Sequence, residues 1–194
     1  PPPRRAAWPV ATVAEVAPET PTARRIVLDV PTWPGNDAGS HLDIRLTAPD
    51  GYQAQRSYSI ASAGETTRVV LAVDEVPGGE VSPFLVRELA AGDRIEVHGP
   101  LGAFFVWRPP APGDTVPAPV QLIGGGSGVV PLVAMLSAHA AAGDATEFRL
   151  LYSVRPPADV FFRAELDEVG VAEYVYTRAV PEGWPAPAGR LTRD

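Results

Sequence analysis

Six short stretches in the first half of the chain carry apolar and β-branched residues in partial alternation. They are VATVAEVA (10–17), ARRIVLDV (23–30), HLDIRLTA (41–48), RSYSIAS (56–62), TRVVLAVDE (67–75) and DRIEVHG (93–99). A period of two marks strands with one buried face. Pro31, Pro34-Gly35, Pro49-Asp50-Gly51 and Gly64 punctuate them as turns. Six strands at this spacing predict a closed antiparallel barrel rather than strand–helix–strand units. One segment departs from the pattern: residues 82–92 (SPFLVRELAAG) place Phe84, Leu85 and Leu89 at helical spacing. Ser82 stands where a cap belongs, Pro83 suits a first turn, and Gly92 can end the helix.

Residues 109–119 (PPAPGDTVPAP) contain five prolines and no periodicity, as in a stiff connection. Beyond it the period changes. VQLIG (120–124) reads as a buried strand, 128–143 as a helix ending at Gly143, 147–154 as a strand, 159–169 as a helix and 172–178 as a strand. Strand and helix in alternation predict a parallel α/β sheet. The expected fold class is therefore β followed by α/β, in two domains: 1–108, a linker at 109–119, and 120–194. Three parallel strands make a small sheet, so the second domain is expected to continue past Asp194 in the native protein. The opening PPPRR, without methionine, is likewise read as a native N-terminus that is missing or processed.

Composition narrows the chemistry. The chain of 194 residues is 45% hydrophobic and 20% charged, with a net charge of −7 and a pI near 5.0. That balance disfavours nucleic acid as a main partner, because phosphate backbones are bound through concentrated basic surface. All 16 basic residues are arginine, and there is no cysteine, which excludes disulfides, zinc–thiolate sites, a cysteine nucleophile and cysteine-ligated clusters within this chain. His41, His98 and His139 lie far apart without ligand spacing, so each reads as structural and no metal site is expected. No run approaches the ~18 apolar residues of a membrane span, and no signal peptide is visible, so a cytoplasmic protein is the expectation.

Three stretches carry candidate chemistry. In IGGGSGVVP (123–131), glycines at the end of a parallel strand let the backbone approach a pyrophosphate, and the helix that follows turns free N–H groups toward it. The alternative is a turn that merely packs strand on helix. In VPGGEVSPF (76–84), Gly78, Gly79 and Ser82 form a second anion-binding candidate, with an ordinary turn as its alternative. In RSYSIAS, Arg56, Tyr58 and Ser62 alternate with Ser57 and Ser59. Arginine offers a fork to phosphate, and tyrosine a flat face to an aromatic ring; a half-buried barrel strand with polar edges is the alternative.

R-x-Y-S at 56–59, G-G-x-x-S at 78–82, G-P-x-G-x-F at 99–104 and GGGSGVVP at 124–131 occur in this order, with barrel before linker and α/β after it. Together they resemble the ferredoxin–NADP reductase superfamily of flavoproteins over nearly the whole chain. The resemblance implies FAD, with FMN as the alternative, and hydride transfer from nicotinamide to the flavin. Arg56 would pair with flavin phosphate, Tyr58 would stack on the isoalloxazine, and Ser59 would hydrogen-bond near the reactive flavin nitrogen. Gly79, Val81 and Ser82 would cradle the flavin phosphate. Gly125, Gly126, Ser127 and Gly128 would face the nicotinamide cofactor's pyrophosphate, and GPLGAF would close the barrel.

Ser153, Arg155, Thr177, Arg178 and Arg190 follow the later strands, and no acidic residue directly ends either one, which favours NADPH over NADH. Relatives usually carry a C-G-P strand and a terminal aromatic residue over the flavin, and this sequence has neither. An external electron acceptor, such as a ferredoxin or a monooxygenase, and a monomeric state are implied. A free flavin reductase using FMN and a non-catalytic flavin- or nucleotide-binding module are the competing readings.

Overall fold

The computed structural model describes residues 8–111, 118–143 and 145–191. Strands β1 (Val10–Thr20), β2 (Ala23–Asp29), β3 (His41–Thr47), β4 (Gln53–Ser59), β5 (Arg68–Asp74) and β6 (Arg94–Leu101) form one antiparallel sheet in the order β4-β3-β6-β1-β2-β5. All six predicted strands are present. Alternation places Ala11, Val13, Ile26, Leu28, Leu42, Ile44, Val69, Leu71, Val73, Ile95 and Val97 on one inward face, each at most 4% exposed. Helix α1 (Ser82–Arg87) plugs this core with the fully buried Leu85.

The sheet curls toward closure without a continuous closing ladder. Edge strands β4 and β5 meet through an isolated Ile60–Leu71 bridge and an Ala61 N–H donated to Val70 O at 2.7 Å. The next donor, Val70 N–H, goes instead to the Ser62 hydroxyl at 3.0 Å. A side chain thus replaces the strand partner that a fully closed barrel needs. Ser62 consequently lies outside β4, which also starts earlier than its polar sequence suggests. The turn at 48–52 pairs Thr47 directly with Gln53 and fixes that register.

Helix α1 is shorter than its apolar spacing predicts. Glu88 and Leu89 N–H groups both return to Phe84 O, while Ala90 N–H is taken by Asp93 Oδ2 and Gly92 N–H by Val13 O. Those contacts unwind the chain four residues before the glycine. Nor does Ser82 cap the helix: its hydroxyl accepts Val76 N–H at 3.0 Å and staples the loop ahead of it.

Strands β7 (Val120–Gly125), β8 (Phe148–Val154) and β9 (Ala172–Tyr176) form the predicted parallel sheet, in the order β7-β8-β9. Helix α2 (Val130–Ala142) follows β7 through a tight turn at Gly126–Val129 and ends at Gly143, whose left-handed φ of 61° serves as the cap. Helix α3 (Arg163–Val169) begins four residues later than its sequence suggests. Of the proline-rich connection, residues 112–117 lie outside the described residues. One apolar cluster crosses between the sheets, joining Ala23, Ala38, Ala61 and Ala72 to α2, β8 and the segment Val160–Phe162.

Candidate functional site

Parallel strands gather their C-terminal ends at one edge of a sheet, and a cleft of about 370 Å³ opens there. Gly125, Gly126 and Ser127 line it from the end of β7, Ser153, Val154 and Arg155 from β8, and Thr177 from beyond β9. Its opposite wall comes from the antiparallel sheet, where Thr20, Thr22 and Asp74 stand, with Thr22 Oγ1 donating to Asp74 Oδ1 at 2.7 Å. The site therefore lies between the sheets.

The glycines of the loop divide by role. A Cβ on Gly124 would meet Leu132 Cδ1 at 3.0 Å and Val129 Cα at 3.4 Å, so this glycine lets helix approach strand. Cβ atoms on Gly126 and Gly128 would meet nothing within 4 Å, and one on Gly125 only Ser153 O at 3.9 Å. Packing does not explain these three. Gly126 has φ +51°, a conformation that favours glycine. The loop is thus open toward the cleft, as a backbone cradle for an anion must be. Gly128 is the one member of the predicted set outside the cleft lining.

Thr177 N–H donates to Val154 O at 2.8 Å and Arg178 N–H to Arg155 O at 3.2 Å, which carries the parallel pairing past β9 and sets Arg155 and Arg178 side by side. Arg155 lines the cleft; Arg178 does not. Asp159 lines it too, and sequence spacing had missed it, because it sits five residues after β8 rather than at its end. A short turn at Pro157–Asp159 brings it back to the cleft.

On β4 the alternation puts Ala54, Arg56 and Tyr58 on one face, paired with Leu46, Ile44 and Leu42, with Ala54 buried, Tyr58 half-buried and Arg56 exposed, while Gln55 and Ser57 donate to Asp43 at 2.9 and 2.5 Å. Tyr58 packs partly against the core of the antiparallel sheet. Burial pushes its phenol up to about 12, opposed by the charge of Arg56. Arg56 Nη1 donates to Gln55 O at 2.6 Å and Nη2 to Glu80 Oε2 at 3.1 Å. That ion pair brings the 76–82 loop against β4. Ser59 is half-buried at the end of the strand, opposite His41. Gly79 N–H is committed to Val76 O at 2.9 Å, and a Cβ there would lie 3.0 Å from that oxygen. Gly79 therefore shapes the loop rather than offering its amide.

The guanidinium and half-buried aromatic ring on β4 stand outside the lining of the cleft, and the open glycine loop stands on it. Comparison with known proteins identifies both halves of the chain. Residues 13–106 match the oxidoreductase FAD-binding domain, and residues 122–192 match the oxidoreductase NAD-binding domain. The chain is 36% identical to the reductase subunit of an aromatic O-demethylase from Amycolatopsis sp., over 88% of this chain and 50% of that protein. It is also 36% identical to ferredoxin–NADP reductase B of Sorangium cellulosum, over 79% of this chain and 61% of that protein. The fold matches the flavohaem-like FAD/NAD-binding domain of a nitric oxide dioxygenase from Vibrio cholerae with a TM-score of 0.80 at 21% identity, covering 97% of this chain and 81% of that one.

The chain thus carries an oxidoreductase-type FAD-binding domain followed by an oxidoreductase-type NAD-binding domain. The chain belongs to the ferredoxin–NADP reductase superfamily and spans about half the length of the reductases it matches. No helix among the described residues is long and apolar enough to cross a membrane.

Proposed function

We propose that the chain forms the flavin- and nicotinamide-binding part of a reductase that takes hydride from NAD(P)H onto FAD and passes electrons to an external oxygenase or ferredoxin-like protein. The observation that carries the reading is the cleft between the sheets, where the unpacked Gly125 and Gly126, with Ser127, face a wall supplied by the antiparallel sheet. Similarity to the reductase subunit of an O-demethylase supports the oxygenase side of the partner class.

The flavin, when bound, supplies the hydride acceptor. The protein's part is to hold two rings in contact and to exclude water. In this reading Arg56 neutralises the flavin phosphate, with Val81 and Ser82 contributing from the adjoining loop and Gly79 giving that loop its shape. Tyr58 presents its ring to the isoalloxazine. Ser59, at the end of β4, orients the reactive edge. Gly125, Gly126, Ser127 and Gly128 face the dinucleotide pyrophosphate, the first three from the lining of the cleft. No proton relay is required.

The donor is NADPH where Arg155, backed by Arg178, meets a 2′-phosphate. Asp159 in the same cleft favours NADH, since a carboxylate accepts from a ribose 2′-hydroxyl and repels a 2′-phosphate. Two variants separate the readings. Under NADPH use, Arg155→Ala raises the KM for NADPH about tenfold or more and leaves that for NADH nearly unchanged. Under NADH use, Asp159→Asn weakens NADH and improves NADPH. The reading as a whole is tested by an anaerobic visible spectrum of the protein with FAD, before and after one equivalent of each nucleotide. Rapid bleaching of the flavin band supports it; a protein that takes up neither FAD nor FMN removes it. Bound flavin that neither nucleotide reduces leaves a binding module.

A further inference from the structure

Tyr152 stands on β8 behind the glycine loop, paired with Gly124 across the parallel sheet. Its side chain is fully buried and takes no part in lining the cleft. It nevertheless holds two segments that do. The hydroxyl donates to Gly126 O at 3.0 Å and accepts Phe161 N–H at 3.3 Å. Burial pushes the phenol above the ordinary tyrosine value, against the opposing hydrogen bond from Phe161, so the hydroxyl keeps its proton and goes on donating. The next amide, Phe162 N–H, is held by Glu19 of β1. One hydroxyl thus joins the loop after β7 to the segment after β8, and the antiparallel sheet anchors that segment in turn.

The Gly126–Ser127 peptide is trans, so its carbonyl and its N–H point in opposite directions. Tyr152 draws the carbonyl toward the core, which turns Ser127 N–H outward, where Ser127 lines the cleft. That N–H comes too early in the turn at Gly126–Val129 to find a partner within it. Gly126 supplies neither a side chain nor packing to hold the peptide plane: its φ is +51°, and a Cβ there would meet nothing within 4 Å. Resting on the reading in which this loop meets the dinucleotide pyrophosphate, we infer that Tyr152 is a positioning residue that aims the Ser127 amide at that pyrophosphate. It touches no ligand and acts only through the peptide it pins. A peptide pinned before the ligand arrives need not be ordered on binding, which favours affinity.

The test compares Tyr152→Phe, which keeps the ring and deletes the hydroxyl, with Tyr174→Phe, a phenol on β9 that donates to Asp167 at 3.2 Å. In FAD-loaded protein, Tyr152→Phe raises the KM for NADH and for NADPH by one common factor, about five- to tenfold. Calorimetric titration with ADP-ribose, which carries the pyrophosphate without the nicotinamide, shows the same factor. The kcat changes by less than about twofold, because the amide binds ground state and transition state alike. FAD affinity stays as in wild type, and Tyr174→Phe moves none of these values. A second pair of variants acts on the amide itself: Ser127→Pro deletes the N–H, whereas Ser127→Ala deletes only the hydroxyl. Ser127→Pro weakens ADP-ribose at least as much as Tyr152→Phe does, and Ser127→Ala weakens it less. Adding Tyr152→Phe to Ser127→Pro costs nothing further, since both act through one N–H. Unchanged ADP-ribose affinity in Tyr152→Phe, an equal loss of FAD, or full additivity in the double variant overturns the inference. Should Tyr152→Phe fail to fold, the Ser127 pair decides, and equal ADP-ribose affinity in its two members overturns the inference. Wild-type protein that binds FAD but not ADP-ribose removes the reading of the loop, and the inference with it.

Discussion

Arg56 and Tyr58 share one face of β4 but differ in their physics, the one an exposed charge and the other a half-buried ring, and their substitutions are expected to separate accordingly. Arg56 is half-exposed, and on the proposed reading it would act through a charge-assisted fork, worth at most about 1.5–3 kcal/mol toward an anion before solvent screening. Arg56→Ala is expected to raise the FAD dissociation constant by about 10- to 100-fold, read by fluorescence titration, and Arg56→Lys recovers only part of it because the fork is lost. On the same reading Tyr58 would act through its ring, so Tyr58→Phe is expected to bind flavin nearly as wild type, whereas Tyr58→Ala loses the stacking face. Its phenol has a separate signature. Burial favours the neutral form, so its contribution to stability is whole below the ordinary tyrosine value near ~10 and is lost as pH rises toward the folded value of about 12. An ultraviolet pH titration of wild type against Tyr58→Phe shows the missing late-ionising phenol. Both residues were legible in the sequence as part of R-x-Y-S. Glu80 and Asp159 were not, because a variable motif position and a turn residue acquire meaning only from the groups that the fold brings beside them.

At the scale of elements, the same tertiary contact that shortens α3 also joins the two sheets. Phe162 adopts φ 53° and ψ 41°, left-handed and rare for a bulky residue, so the helix cannot begin before it. Its N–H donates at 2.5 Å to Glu19 Oε1, and the other oxygen of Glu19 receives Arg25 Nε at 2.7 Å. Arg25 continues to Glu165 Oε1 at 2.5 Å and lies 4.4 Å over the Phe162 ring. The Glu19 side chain, only 4% exposed, thus fastens β1 to the parallel-sheet half. Glu19→Ala strands the Phe162 N–H and half of the Arg25 fork, with an expected loss of about 2 kcal/mol, discounted because Arg25 remains partly in water. Urea unfolding measures it, and Glu19→Gln, which keeps one acceptor, loses less. Helical periodicity could not foresee any of this, since Glu19 is 143 residues away from Phe162. Gly39 is a parallel case: at φ +100°, its absent Cβ would lie 2.1 Å from Phe105 O and 2.6 Å from Met135 Cε. Gly39→Ala should destabilise the protein by about 3 kcal/mol or more, since backbone strain adds to the clash.

For the whole molecule, order and type of elements were readable from period alone, because alternation and helical spacing are local signals, whereas the joining of the halves is not. A continuous apolar cluster and the Glu19–Arg25–Glu165 chain cross between the sheets, so one calorimetric transition is expected rather than two, with tryptophan fluorescence changing in step. Acid should attack this unit at identifiable points. For Glu96, the hydrogen bond from Arg45 lowers the carboxyl and outweighs burial; for Glu165, burial pushes upward but the Arg25 hydrogen bond and charge prevail, so it too is lowered. A carboxyl lowered on folding binds its proton more readily when unfolded. Its stabilisation is therefore present above the ordinary carboxylate range and is lost as pH falls through the lowered folded value. The melting temperature should accordingly hold steady from about pH 7 to 5 and drop below about pH 4.5, the ordinary carboxylate range. Glu165→Gln should flatten part of that drop while lowering the plateau slightly, and Glu96→Gln should do the same independently, since the two pairs share no partner. An acid limb unchanged in both variants would place the acid sensitivity in other carboxylates.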